Sequence, residues 1–211
     1  EVAGIRLTGV EWLVGGEEAK RDDSVYQSAM AAIEKHHIDR HSYIMVIGGG
    51  AFLDVVGYAA ATGHRGVRLV RFPTTTLSQD DSGVGVKNGL NAFGKKNFIG
   101  AFAVPYAVVN DFQFLHTQPE LTRRAGLIEA VKVSLVKDGE FFEWMEANAA
   151  SLCALDEATL EEAVERSGLT REFIDGKIAA AEAALETVGD DGRQAAGQRL
   201  NDLKTVAEQL V

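Results

Sequence analysis

Short, continuous apolar runs that end at glycine or proline constrain the fold of this chain most. One run, residues 43–47, is followed by three glycines, and a second, residues 67–72, ends at Pro73. Runs of this length are typical of strands in a sheet that is covered on both faces, because neither face then needs polar side chains. Residues 101–104 and 107–109 are predicted as further strands of the same kind.

Helical patterns alternate with these runs. Residues 22–36 begin at Asp22 and Asp23, either of which can cap a helix, and residues 51–62 are rich in alanine with apolar residues at helical spacing. Strand–helix–strand alternation predicts a largely parallel sheet with right-handed crossovers. Residues 1–116 are therefore predicted to form an α/β domain.

The β-type runs stop near residue 117, and helical patterns follow. Pro119 is predicted in the first turn of a helix over residues 119–137, and Asp138 and Asp156 are predicted to cap the next two helices. Later helices are predicted over residues 157–167, 171–188 and 193–211. The predicted fold class is thus α/β followed by all-α, with a helical domain over residues 117–211.

The charge of the chain limits its ligands. A net charge of −10 at pH 7 argues against general nucleic-acid binding, because a polyanion repels an acidic protein. Residues 64–97 differ from the rest, with six basic and two acidic side chains. This basic island favours a small anionic ligand such as phosphate, and the alternative is a solvated face with scattered charges.

Signals for membranes, secretion and disulfides are missing from the sequence. No window approaches the ~18 continuous apolar residues that span a bilayer, and the N-terminus has no signal-peptide pattern. The chain starts at Glu1 without Met, so we expect an internal boundary of a longer chain. The single cysteine, Cys153, excludes an internal disulfide and a multi-cysteine metal site and predicts a cytoplasmic location.

The three glycines at residues 48–50 are the first candidate site. They follow a predicted buried strand and precede a helix, where free backbone N–H groups stabilise a pyrophosphate. A purely structural turn is the alternative. Asp54 is predicted in the first turn of that helix, where the helix dipole favours an acid.

Residues 73–100 are the second candidate. They combine hydroxyls at 74–76, acids at 80 and 81 and lysines at 87, 95 and 96 with several glycines. Hydroxyl and ammonium groups around glycine turns are good ligands for polyols and phosphates. The alternative is a polar surface hairpin that turns at Asn88 and Gly89.

Glu129 and Lys132 are the third candidate. They are three residues apart on a predicted helix and so share one face, beside apolar neighbours. The pair can serve as a metal ligand and a substrate clamp, or it can be an ordinary ion pair within one helix.

Taken together, these segments resemble the 3-dehydroquinate synthase family, and more broadly the sugar phosphate cyclases, over residues 13–150. The matching motifs are GEEAK at 16–20, GGG at 48–50 with Asp54, AAAT at 59–62 with Arg65, PTT at 73–75, DSGVGVK at 81–87, GKKNFIGAF at 94–102, Asp111, AGL at 125–127 with Glu129 and Lys132, and Asp138 with FFEW at 141–144. The residues around Lys87 look most like the branch that acts on heptulose phosphates, the 2-epi-5-epi-valiolone-synthase-like cyclases.

The resemblance implies an NAD-dependent lyase that oxidises a ring hydroxyl of a phosphorylated sugar or heptulose, eliminates phosphate, returns the hydride and closes a carbocycle. It also implies a parallel nucleotide-binding sheet, a divalent metal (zinc or cobalt) that polarises the substrate oxygens, and a homodimer. No nucleic acid or membrane is implied as a partner.

The resemblance also assigns residue roles. The implied cofactor-binding residues are Glu17, Lys20, Gly48, Gly49, Gly50, Asp54, Thr74, Thr75, Asp81, Lys87 and Lys96. The implied catalytic and substrate residues are Asp81, Lys87, Lys96, Asn97, Lys132 and Arg65, the last reaching a phosphate from a neighbouring subunit. Glu129 is the implied metal ligand.

Two departures from the family pattern leave other functions open. The family's metal site also uses two histidines downstream of the glutamate, whereas all five histidines here precede Glu129, and residues after about 166 look truncated or foreign. The alternatives are a catalytically incomplete NAD-binding remnant, an iron-type polyol dehydrogenase, and an assembly protein that binds partners through an apolar stripe in residues 193–211.

Overall fold

A computed structural model of the chain describes residues 6–168. The predicted helices over residues 171–188 and 193–211, with their apolar stripe, lie outside the described residues. The chain divides into two compact units. The first combines Glu1–Thr74 with Val86–Asp111, and the second combines Thr75–Gly85 with Phe112–Val211.

The first unit is an α/β assembly, as predicted. Its elements in chain order are a 3-10 helix (Glu17–Lys20), α1 (Ser24–Lys35), β1 (Tyr43–Gly48), α2 (Gly50–Thr62), β2 (Arg68–Pro73), β3 (Lys87–Ala92), β4 (Lys95–Phe102) and β5 (Ala107–Val108). Strands β1, β2 and β5 form a parallel sheet in that order. Gly48 pairs in register with Pro73, so β1 and β2 end at the same edge of the sheet.

One face of this sheet is buried by α2. Val46 and Leu69 of the strands pack with Leu53, Val56 and Ala60 of the helix. The opposite face keeps three apolar side chains of β1 about half exposed: Tyr43, Met45 and Ile47. The prediction of a sheet covered on both faces is therefore wrong for residues 6–168, because α1 packs against α2 instead of covering the open face.

Strands β3 and β4 form an antiparallel hairpin. It turns at Phe93 and Gly94, where φ is +53° and +70°, and not at Asn88–Gly89. Gly89 lies inside β3 opposite Gly100, and a Cβ on Gly89 would come within 2.7 Å of the Ile99 carbonyl oxygen. Residues 101 and 102 also belong to this hairpin, so the prediction that 101–104 joins the parallel sheet is corrected.

The second unit is built from helices. They are a π-helical turn (Ser78–Ser82), α3 (Gln113–His116), α4 (Glu120–Lys137), α5 (Gly139–Ala147), α6 (Ala149–Cys153) and α7 (157–168). The Asp138 carboxylate accepts the Phe141 N–H at 3.0 Å and that of Asp156 accepts the Thr159 N–H at 3.1 Å, so both predicted caps are confirmed. Pro119 lies just before α4 and not in its first turn.

The core of the second unit joins α4 to the helices that follow it. The buried residues of this cluster are Ala130, Val133, Phe141, Met145, Leu152 and Ala163. In the described part of the chain, no helix is long and apolar enough to cross a bilayer.

Candidate functional site

The glycine turn lies at the carboxyl end of β1. Gly49 precedes α2 in an extended conformation and offers no side-chain hydrogen bond to the helix. The Thr74 N–H donates to the Gly48 carbonyl at 3.0 Å, which places Thr74 beside the turn. The first N–H groups of a 13-residue helix thus have no side-chain cap, an arrangement that binds phosphate groups.

Three predicted site residues meet close to this helix. The Lys20 ammonium donates to Asp54 Oδ2 at 2.5 Å and to Asn97 Oδ1 at 2.7 Å. The side chain of Lys20 is 7% exposed and that of Asp54 is 16% exposed. Asp54 lies in the second turn of α2, not in the first as predicted, and it is stabilised by the Lys20 charge instead of by the helix terminus.

Local backbone geometry brings these groups together. Gly16, at φ +69°, starts the 3-10 helix that carries Lys20 against α2. Asn97 has φ +51°, a conformation that asparagine tolerates better than most residues, and its N–H donates to Asn91 Oδ1 at 2.9 Å. Near this cluster, Lys96 and Glu17 form an exposed ion pair at 3.6 Å.

Arg65 lies elsewhere in the first unit. It lines an open cavity of about 630 Å³ with Asp39, Arg40, His41, His64 and Gly66. His64 and Arg65 adopt left-handed φ values of +50° and +64°. The cavity wall is mostly basic, as an anion site requires.

In the second unit, Thr75 precedes the π-helical turn and Asp81 lies within it. The Thr75 hydroxyl is 2.8 Å from the Ser78 hydroxyl, so it bonds to the first residue of that turn. The backbone carbonyl of Asp81 accepts the N–H groups of Val84 and Gly85. Asp81 as a whole residue is partly buried.

Asp80, beside Asp81, is completely buried. Neither of its carboxyl oxygens has a hydrogen-bond partner in the described structure. Burial, followed by the negative charges of Glu129 and Asp81, raises the pKa of Asp80 well above its usual value. Asp80 is therefore held as a neutral acid over a wider pH range than an ordinary aspartate.

Glu129 and Lys132 form an ion pair on α4 with 2.8 Å between Lys132 Nζ and Glu129 Oε1. This matches the ion-pair alternative for these residues. It leaves their implied roles as metal ligand and substrate lysine as predictions.

Comparison with known proteins decides the family. The 3-dehydroquinate synthase N-terminal family model matches residues 11–125, more than half of the chain. The chain belongs to the 3-dehydroquinate synthase family. The resemblance noted from the sequence motifs is confirmed.

Two curated relatives of this family show the extent of the match. The chloroplastic 3-dehydroquinate synthase of Arabidopsis thaliana is 43% identical over 155 residues, which are 74% of this chain and 35% of that protein. The 3-dehydroquinate synthase of Rhodopirellula baltica is 35% identical over 199 residues, covering 94% of this chain and 49% of that protein. The chain spans about half or less of the length of these relatives.

A solved structure supports the same family and fold. It is 2-epi-5-epi-valiolone synthase from Streptomyces hygroscopicus subsp. jinggangensis 5008, with NAD+ and Zn2+ bound. The two are 31% identical, with a TM-score of 0.69 over 75% of this chain and 44% of that one. The predicted fold class, α/β followed by helices, is confirmed.

The described residues do not fit the metal of the family. Across residues 6–168, no group of three His, Cys, Asp or Glu side chains is arranged to hold a metal ion. A zinc site with only Glu129 would lack the further ligands that zinc requires, and Glu129 already contacts the Lys132 ammonium.

Sequence reasoning did not predict the burial of several polar side chains, among them Arg71, Asp80 and Asn88. The burial of Arg71 had a sign in the sequence, because this arginine interrupts the apolar run 67–72. In the structure its side chain faces α2. Asp80 and Asn88 lie in polar stretches, where a buried side chain looks no different from an exposed one.

Proposed function

We propose that this chain provides the NAD-binding part and several substrate contacts of a sugar phosphate cyclase, a lyase that releases phosphate from a phosphorylated sugar or heptulose and closes a carbocycle. The observation that carries the proposal is the uncapped glycine turn of a parallel β1–α2–β2 unit beside the buried Lys20–Asp54–Asn97 cluster.

The residues of the first unit suit NAD. The backbone N–H groups at the start of α2 are proposed to bind the pyrophosphate, a role supported by the missing side-chain cap and by the absence of a side chain at Gly49 and Gly50. Glu17 and Lys20 are proposed to bind ribose hydroxyls, with Thr74 beside the cofactor. Bound NAD supplies a reversible hydride acceptor for a ring hydroxyl.

The family resemblance assigns proposed substrate contacts within each unit. In the first unit, the Lys87 and Lys96 ammonium groups are positive points for a phosphorylated substrate, and Asn97 orients a hydroxyl. By the family resemblance, Asp81 of the second unit is proposed to contact substrate and nicotinamide, Thr75 to contact the cofactor and Lys132 to bind substrate. A heptulose phosphate is the proposed substrate class, because the residues around Lys87 look most like the branch of the family that acts on heptulose phosphates.

A homodimer is part of the proposal, because the family resemblance has Arg65 acting on a neighbouring subunit. The basic wall of the Arg65 cavity supports an anionic ligand there. Mixing inactive Arg65→Ala and Lys87→Ala chains is expected to restore activity in mixed dimers. No restored activity, or a monomer in sedimentation, would contradict the homodimer.

A cytoplasmic location stays a prediction that rests on the single, exposed Cys153.

NAD titration is the first test. Trp12 is 93% exposed and Trp144 belongs to the second unit, so the fluorescence of one tryptophan is a weak measure of NAD binding. NAD binding is therefore measured by calorimetry as well as by intrinsic fluorescence. Binding that is weakened in Lys20→Ala, with Lys35→Ala as the exposed-lysine control, supports the proposal. A wild-type chain that does not bind NAD would refute it.

Phosphate release from a heptulose 7-phosphate is the second test. The expected result is release that needs catalytic NAD and is lost in Lys87→Ala but kept in Lys35→Ala. Reduced cofactor that accumulates with simple diols would instead select the iron-type dehydrogenase.

A catalytically incomplete NAD-binding protein is the second candidate function. The absence of a three-ligand metal group among residues 6–168 favours it. NAD binding without phosphate release, with or without added zinc or cobalt, would select this candidate.

A further inference from the structure

Arg71 is a charged side chain in the interior of the first unit. It is 0% exposed, on the face of β2 that packs against α2. Its Nη2 atom donates to Asn88 Oδ1 at 2.5 Å, a charge-assisted hydrogen bond between β2 and β3.

The Asn88 carboxamide is also held at its nitrogen end. Its Nδ2 atom donates to the Val86 carbonyl at 3.0 Å and to the Ala103 carbonyl at 3.3 Å. Val86 precedes β3 and Ala103 follows β4, so one side chain ties Arg71 to both chain segments at the open end of the hairpin. These bonds fix which end of the amide faces the guanidinium.

Gly57 of α2 completes the arrangement. A Cβ at this position would overlap Asn88 Oδ1, and it would lie 3.0 Å from Asn88 Cγ and 3.1 Å from Arg71 Nη2. The helix can approach the pair this closely only because residue 57 has no side chain. Gly57, Arg71 and Asn88 thus join α2, β2 and the hairpin in one buried contact, called here the Gly57–Arg71–Asn88 lock.

The lock lies next to proposed site residues. Lys87 is the chain neighbour of Asn88, and β4 carries Asn97, which bonds Lys20 beside Asp54 of α2. Apolar side chains could fill the same space without desolvating a guanidinium, so the polar contact is better explained by the geometry that it fixes.

We infer that Arg71 and Asn88 are positioning residues: through the lock they set Lys87 on the hairpin relative to the glycine turn of α2. This inference rests on the proposed function, since Lys87 must act on substrate for its position to affect the rate.

Kinetics of Asn88→Ala test the positioning role. Misplacing a reacting group by about 1 Å costs on the order of a hundredfold in rate, so kcat for phosphate release should fall by about that factor while KM and the NAD Kd change little. Arg71→Lys, which keeps the positive charge, is expected to keep a larger part of the wild-type kcat than Asn88→Ala does. If KM, NAD affinity and kcat changed in parallel, and Arg71→Lys lost as much kcat as Asn88→Ala, the lock would have only a folding role and the inference would be overturned.

Hydrogen exchange tests the lock without any activity. Gly57→Ala should speed amide exchange in β3 and β4 by about tenfold, the factor expected for losing a hydrogen bond to a charged group. Exchange in the Gly57→Ala/Asn88→Ala double variant should match that of Asn88→Ala alone, because the overlapping atom is then gone.

Gly15→Ala is the matched control, since a Cβ there meets nothing within 4 Å. Additive effects of Gly57→Ala and Asn88→Ala would overturn the lock. A wild-type chain that neither binds NAD nor releases phosphate would instead refute the proposed function, and exchange alone would then decide whether the lock exists.

Discussion

The two units differ in whether their buried ionisable side chains have hydrogen-bond partners. In the first unit, Lys20 is paired with Asp54 and Asn97, and Arg71 is bonded to Asn88. In the second unit, Asp80 is fully buried with neither oxygen bonded, near two other acids. The buried Lys20 charge is therefore compensated and the buried Asp80 carboxyl is not, so mutations at these two sites should have opposite effects on stability.

Breaking the compensated pair is expected to have the largest effect. Asp54→Ala leaves the Lys20 ammonium buried without its carboxylate, and losing one partner of a buried pair costs about 3 kcal/mol of unfolding free energy. Chemical denaturation of the variant measures this loss. Glu18→Ala, which breaks the exposed pair with Arg21, should cost about 0.5 kcal/mol or less. Equal losses in the two variants would contradict the contrast between buried and exposed pairs.

Removing the uncompensated acid should do the reverse. Asp80→Asn is expected to stabilise the chain at pH 7 by about 1 kcal/mol or more, because the amide, unlike the carboxyl, does not need to take up a proton on folding. Because the folded pKa of Asp80 is raised, the folded chain keeps a proton that the unfolded chain loses above about pH 4, so stability falls as pH rises. The advantage of the variant should therefore shrink toward pH 4. A constant difference across pH would show that ionisation of Asp80 is not the cause.

Asp156 provides the opposite control. The Thr159 hydroxyl and N–H bonds lower the pKa of this helix cap, so its stabilising contribution is present above the unfolded pKa and is lost as pH falls. Asp156→Asn should lose stability at neutral pH and approach the wild type in acid. Denaturation midpoints at pH 3 and pH 7 for both variants separate the two signs.

The sequence predicts strands and helices correctly where their formation depends on a local pattern of residues. The apolar runs at β1 and β2 and the caps at Asp138 and Asp156 depend on neighbours within a few residues. The hairpin turn was misplaced because Asn88–Gly89 is a strong turn dipeptide. In the fold, Gly89 is required by its close approach to β4 instead.

The site itself was only partly accessible to sequence reasoning. The resemblance selected Lys20, Asp54 and Asn97, but their contact joins residues 34 and 77 positions apart, which no local pattern encodes. The lock around Arg71 depends on a glycine on one element and an asparagine on another. Such polar contacts are visible only once the elements are packed.

The Glu129–Lys132 ion pair is intermediate in exposure between the buried Lys20–Asp54 pair and the exposed surface pairs. Its side chains are 12% and 26% exposed, so Glu129→Gln gives up an ion pair but also removes a negative charge that acts on Asp80. The two changes oppose each other, and the net loss should be under about 1 kcal/mol. Denaturation in the Asp80→Asn background separates them, because the loss should become larger once Asp80 cannot ionise. An unchanged loss would show that Glu129 and Asp80 are not coupled.

The Glu17–Lys96 pair should matter least for stability. Its atoms are 3.6 Å apart and its side chains are 76% and 81% exposed, so Lys96→Ala should change the unfolding free energy by about 0.5 kcal/mol or less, with the difference vanishing at high salt. The same variant is expected to weaken substrate or cofactor binding, because an exposed ammonium remains available to a phosphate. Lys95→Ala, on the same strand, is the control for binding. If Lys96→Ala destabilised the chain as much as Asp54→Ala, the solvent exposure of a charged side chain would not tell whether it stabilises the fold or binds a ligand in this unit.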